Sequence, residues 1–145
     1  MVAFFSEAGP LLAIATAFLL LAGLAKSAVD IMSHQEDNNI FMNWGGWFDN
    51  RTSWKRKYKS YDTGDLRPRF PGAKTLLVCF IDFWHAADFV YLKAYLIGSA
   101  CGGIGIYRAG GSWLAYAGFV LWASIAIGAV FEVTYRRFFR IKKVD

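Results

Sequence analysis

Two histidines occur in this chain, and each stands within about one helical turn of a carboxylate: Asp30-x-x-x-His34 and Asp82-x-x-His85. Residues three or four apart on an α-helix share a face, so either spacing sets an imidazole against a carboxylate. Glu132 adds a third acidic position in an otherwise apolar run. Carboxylates and imidazoles projecting from several helices into one bundle are the ligand set of di-metal carboxylate centres. That donor set suits Fe, Mn or Zn better than Cu(I). Asp30, His34, Asp82, His85 and Glu132 are therefore candidate metal ligands. The same residues without a metal make a proton relay. A bis-imidazole haem on His34 and His85 is a weaker alternative. The plainest alternative is charge pairing alone: Lys26 with Asp30 or Asp82, Asp88 with His85 or Lys93, and Glu132 with Arg136. No Ser/His/Asp or Cys/His nucleophile arrangement is legible, so no catalytic residue is assigned and enzymatic activity stays open. Cys79 and Cys101 form no metal motif, and on one helix they stand too far apart for a disulfide.

The elements that must position these groups are membrane spans. The chain has 145 residues, 56% hydrophobic and 18% aromatic, with the apolar residues in long blocks. Residues 9–33 are uncharged from Pro10 to Ala25, long enough to span. Glu7 and the lack of a basic leader argue against a cleaved signal peptide. Pro10 fits a first helical turn. Residues 75–100 form a second span, entering through the extended Arg67-Pro-Arg-Phe-Pro-Gly72 and fraying near Gly102–Gly103; the alternative is an interfacial start and a span at about 84–106, using Gly98-x-x-x-Gly102 for close packing. Asp82 and His85 would then lie two to three turns inside it, where ionisable groups cost about 2.5–3.5 kcal/mol each. Residues 112–135 form a third span, with Ser124 and Gly128 as a packing pair. Gly102-Gly-Ile-Gly lacks the preceding strand and following Lys-Ser/Thr of a phosphate loop.

Between spans one and two lies a loop, residues 34–74, rich in both aromatics and cations. Ile40–Phe48 reads as an interfacial piece turning at Gly45-Gly46, with indoles at headgroup depth. Trp54, Lys55, Arg56, Lys57 and Lys59 read as a patch for anionic lipid headgroups. Nucleic acid is not the expected partner, although cations among aromatics are also how single strands are gripped. Asn50-Arg51-Thr52 is a formal glycosylation sequon. The loop carries eight Lys/Arg and the tail, residues 136–145, carries five, against none before the first span and Arg108 alone between the second and third. The positive-inside rule then gives N-out/C-in, with loop and tail in the cytoplasm of a bacterial inner membrane. The expected architecture is a single all-α membrane domain of three transmembrane helices with an aromatic-basic interfacial loop.

Ser53-Trp-Lys-Arg-Lys-Tyr, Arg69-Phe-Pro-Gly and Asp82-Phe-Trp-His85 together resemble a family of small bacterial and phage membrane proteins. Members carry S-W-[KR]-x-K-Y, a proline–glycine entry and D-x-W-H. The resemblance covers about residues 26–92. It implies no activity, but it marks Asp82 and His85 as a recurring pair. Three functions fit these features. One is a membrane protein whose inner-leaflet Asp/His/Glu cluster binds a metal or relays protons. Another is a non-catalytic accessory or assembly subunit, in a homo-oligomer or larger membrane complex, that holds anionic lipid. The third is a holin-like phage pore former, which the long aromatic loop disfavours.

Overall fold

The computed structural model describes residues 2–35, 38–75 and 77–141, and only the backbone of residues 2–7 and 50. The tail cations Lys142 and Lys143 and the side chain of the sequon's Asn50 lie outside the described residues. Three long helices dominate: α1 (Val2–His34), α3 (Phe83–Arg108) and α4 (Trp113–Val133). Between α1 and α3 come the single-turn helix α2 (Asn50–Ser53) and the strands β1 (Tyr58–Ser60) and β2 (Asp65–Pro68). Stretches Ala8–His34, Phe83–Arg108 and Trp113–Phe139 are long and apolar enough to cross a membrane, which marks the chain as a small multi-pass membrane protein.

The chain divides into two compact units. The first comprises Met1–Leu24 and Val90–Glu132. Its helices approach closely where side chains are small, as packing within hydrocarbon favours. A methyl group on Gly98 would meet Leu19 and the Ala15 carbonyl of α1, and one on Gly105 would meet Leu11. Gly102 instead faces the Phe119 ring of α4, so Gly98 and Gly102 serve different neighbours. Gly23 lies against the backbone of Ile127. The expected Ser124/Gly128 packing pair is not used this way. Ser124 Oγ donates to Val120 O, and a methyl on Gly128 would touch nothing within 4 Å.

Several expected boundaries move. Pro10 is inside α1 rather than in its first turn, because the helix already runs from Val2. Helix α3 does not fray at Gly102–Gly103. It continues to Arg108 and closes when Gly110, at φ 66°, lets the Gly110 and Gly111 N–H groups donate to Tyr107 O and Ile106 O. This is the left-handed glycine closure of a helix C-terminus. The larger correction is at the other end. Thr75 and residues 77–82 are not helical span: turns and a 3₁₀ turn at Val78–Phe80 precede α3, which begins at Phe83.

The second unit comprises Ala25–Phe89 and Val133–Asp145. Its core joins Ala28, Val29, Ile31 and Met32 of α1 to Phe41 and Ala87. The described residues of the 34–74 segment are folded. Asn39 caps a 3₁₀ turn at Ile40–Asn43 by accepting from the Phe41 and Met42 N–H groups. Phe41 then packs against the rings of Trp44, Phe48, Phe83 and Phe139. Gly45, at φ 101°, provides the turn expected there. Strands β1 and β2 pair antiparallel, Tyr58 opposite Pro68 and Ser60 opposite Asp65, around a turn that needs Gly64 at φ 78°. Beyond α4 the helix widens into a π-turn at Thr134–Phe139. There Thr134 Oγ1 donates to Ser27 Oγ at 2.5 Å. Arg140 then bridges to Asn39, and the Ile141 N–H donates to Asn38 O.

Candidate functional site

Asp82 immediately precedes α3 and is its N-cap, in keeping with the preference for aspartate at that position. Its Oδ1 accepts from the His85 backbone N–H at 2.9 Å, and both carboxylate oxygens lie 2.9 Å from His85 Nδ1. One carboxylate thus satisfies an orphan helix donor and fixes an imidazole. A carboxylate can only accept, so this contact is a hydrogen bond in the ring form that carries its proton on Nδ1. The Asp82 side chain is fully buried, whereas that of His85 is 29% exposed. The expected i,i+3 pair therefore exists, but at the mouth of the helix rather than two to three turns inside a span.

Neighbouring groups tie the residues around the pair to the loop and to α1. The Phe83 N–H donates to Trp47 O, tying the start of α3 to the loop. Trp84 Nε1 donates to Ser33 Oγ on α1 at 2.8 Å, and the Trp84 and His85 rings meet edge-on with centroids 4.9 Å apart. Ser53, Trp54, Asp82, Trp84 and His85 line a cavity of about 180 Å³. Sequence reasoning missed Ser53. It lies 29 residues before Asp82, with no local spacing to connect them.

The five expected metal ligands do not gather. Asp30 is engaged by Lys26 at 2.6 Å, the ordinary i,i+4 pair. His34 is exposed at the end of α1, and Glu132 is exposed on α4. Asp82 spends its oxygens on capping and on His85. Among the described residues, no three His, Cys, Asp or Glu side chains come together to hold a metal ion.

The basic-aromatic stretch is a structured hairpin. Trp54, Tyr58 and Tyr61 pack together edge-on or tilted. Lys57 lies over the Trp54 and Tyr58 rings, and Lys74 over Tyr58. Lys55 pairs with Asp62 and also lies over Tyr61. Arg51 pairs with Asp49, whose pKa its hydrogen bond lowers. Arg67 pairs with Asp65 at 2.7 Å, and its side-chain hydrogen bond holds that carboxyl down at about 2. Arg56, Lys59 and Arg69 are exposed and form no ion pair among the described residues, although Lys59 contributes to lowering Asp65. Of the five residues expected to hold lipid, Lys55 and Lys57 are thus committed within the hairpin.

No protein-family profile, curated protein or solved structure matches this chain.

Proposed function

We propose that this small multi-pass membrane protein uses Asp82–His85 as an acid–base centre, with His85 Nε2 taking and returning the proton. The observation that carries the reading is the fully buried Asp82 carboxylate, both oxygens 2.9 Å from His85 Nδ1. A carboxylate on Nδ1 orients the ring and stabilises the imidazolium formed at each turnover. Of the two chemistries expected of the polar residues, proton transfer needs only this pair, whereas a metal would need a third ligand. In this reading the 34–74 segment and the tail face the cytoplasm of a bacterial inner membrane, as the asymmetry of cations supports. The test is ¹⁵N histidine NMR of the protein in nanodiscs across a pH series. Nδ1 should keep its proton while Nε2 gains and loses one, and a downfield Nδ1–H resonance should vanish in Asp82→Asn. A ring that carries its proton on Nε2, or is indifferent to Asp82→Asn, would sink the reading.

A second role, holding anionic lipid, is favoured by the three exposed cations Arg56, Lys59 and Arg69, free of ion pairs among the described residues. Each cation near an anionic surface contributes about 1 kcal/mol. Replacing all three with alanine should weaken binding to phosphatidylserine vesicles by about 100-fold. Replacing the paired Arg51 and Arg67 should cost far less. Equal losses from the two sets, read by vesicle co-sedimentation, would refute this assignment.

A further inference from the structure

Ser53 Oγ is a buried side-chain oxygen with no hydrogen-bond partner, the single such atom among the described residues, on a residue 1% exposed. A structural serine in a helix would turn its hydroxyl onto the carbonyl four residues back, as Ser33 does to Val29 and Ser124 to Val120. Ser53 does not, although its own backbone N–H reaches Asp49 O. Native structures rarely keep a buried hydroxyl unsatisfied without a use.

The neighbours of Ser53 supply one. It lines the same cavity as His85 and Asp82. A hydroxyl, an imidazole and a buried carboxylate that fixes the imidazole through Nδ1 are the three parts of a serine nucleophile system, recognised by geometry and not by order in the chain. We propose that Ser53 is the nucleophile of an acyl-transfer site, with His85 as general base and Asp82 as its positioning residue. This rests on the acid–base reading of Asp82–His85 and gives that pair a substrate class, the ester of a membrane lipid. Two features select it. The cavity is walled by the indoles of Trp54 and Trp84 and, at about 180 Å³, holds a carbonyl and its immediate substituents but no long chain. It also opens beside the first residue of a helix apolar enough to cross the membrane; in this proposal that helix end lies at the level of the lipid ester groups. The Ser53–His85 hydrogen bond is unmade in the free protein, as nucleophile–base pairs often are before substrate binds.

The chemistry balances without any co-reactant but water. Ser53 Oγ bonds to the ester carbonyl carbon while its proton passes to His85 Nε2. The carbonyl–alkoxy bond then breaks, and the leaving alcohol takes that proton from His85. Water attacks the acyl-Ser53 carbonyl, giving a proton to His85. The Ser53–acyl bond breaks, and His85 returns the proton to Ser53 as the free acid departs.

The experiment is covalent labelling of the full chain in nanodiscs with an alkyl fluorophosphonate, read by peptide mass spectrometry. The adduct should form on Ser53, disappear in Ser53→Ala, and slow at least 100-fold in His85→Gln and 10-fold in Asp82→Asn. Ser53→Ala removes an unsatisfied polar atom, so it should melt no lower than the parent and its loss of label cannot be ascribed to unfolding. No adduct at Ser53 while the downfield His85 Nδ1–H resonance is intact overturns the nucleophile and leaves the acid–base pair standing. Labelling that is indifferent to His85→Gln overturns it equally. Absence of that resonance in the parent overturns both readings.

Discussion

Asp82 performs two tasks with one carboxylate, and two substitutions separate them. Asp82→Ala removes the cap on the His85 N–H, 2.9 Å away, a loss typically worth about 1 kcal/mol. It also removes the hydrogen bonds to His85 Nδ1, which for a charged acceptor are worth about 1.5–3 kcal/mol. The sum is a destabilisation of about 3 kcal/mol. Asp82→Asn keeps the shape and an oxygen for the helix N–H, and asparagine caps as well as aspartate. Only the contribution from Nδ1 is weakened, so its cost should be about 1–2 kcal/mol. The assay is helical circular dichroism during titration of dodecylmaltoside micelles with SDS, and the expected order is parent, then Asn, then Ala. If Asn and Ala fall together, the cap contributes nothing. If Ala lies within about 0.5 kcal/mol of the parent, the buried carboxylate is not the clamp described above.

Three further outcomes test the packing and the hairpin. Gly23→Ala drives a methyl to 2.8 Å from the Ile127 carbonyl and should cost about 1–3 kcal/mol in the same titration. Gly103→Ala meets nothing within 4 Å and should stabilise α3 by about 0.5–1 kcal/mol; a reversed order would refute the packing. Phe41, 3% exposed amid aromatic rings, should cost about 3–5 kcal/mol as Phe41→Ala, with the near-ultraviolet dichroism of the tryptophans collapsing alongside. Asp65 is depressed from 3.8 to about 2 by Arg67. A depressed carboxyl stabilises the fold above its unfolded value, and that contribution fades as pH falls through the folded one. The Asp65–Arg67 pair should therefore survive at about pH 3 and open near pH 2, read from the Asp65 carboxyl ¹³C shift. Arg67→Ala should return that titration towards its ordinary range; an unchanged curve would contradict the pairing.

The spans were legible because long apolar blocks leave few alternatives, and α1 and α4 follow them closely. The start of α3 was misplaced because Leu77, Val78, Phe80 and Ile81 are as apolar as a span, and hydrophobicity does not distinguish a helix from a string of turns. The signal that settles the boundary was nonetheless present: aspartate at position 82, followed by a helical run, is a cap. The hairpin was also foreshadowed by Asp62-Thr-Gly64, a turn between short polar-aromatic pieces. The pairing of Asp82 with His85 could be read from spacing alone. The metal cluster was over-read, since it required helices to bring distant residues together, and Asp30 had a nearer partner in Lys26. Ser53 stood in the sequence only as the first residue of the S-W-[KR]-x-K-Y motif, because its relation to His85 arises from folding of the segment between them and leaves no periodic trace.

The end of the described chain is stitched into the segment that follows α1. Arg140 bridges to Asn39, Ile141 bonds to Asn38, and Thr134 bonds to Ser27, which lies 107 residues earlier. During synthesis, then, the second unit cannot close when its first segment, Ala25–Phe89, emerges from the ribosome. Ser53, Asp82 and His85 are all made while that unit still lacks the strand-like partner of Asn39 and the ring of Phe139. Completion must await α4 and the residues after it, so a stalled or truncated product would carry the whole Asp82–His85 motif in an unfinished shell. Contacts this distant along the chain are formed late and slowly, which makes the last described residues a checkpoint on the assembly of the site.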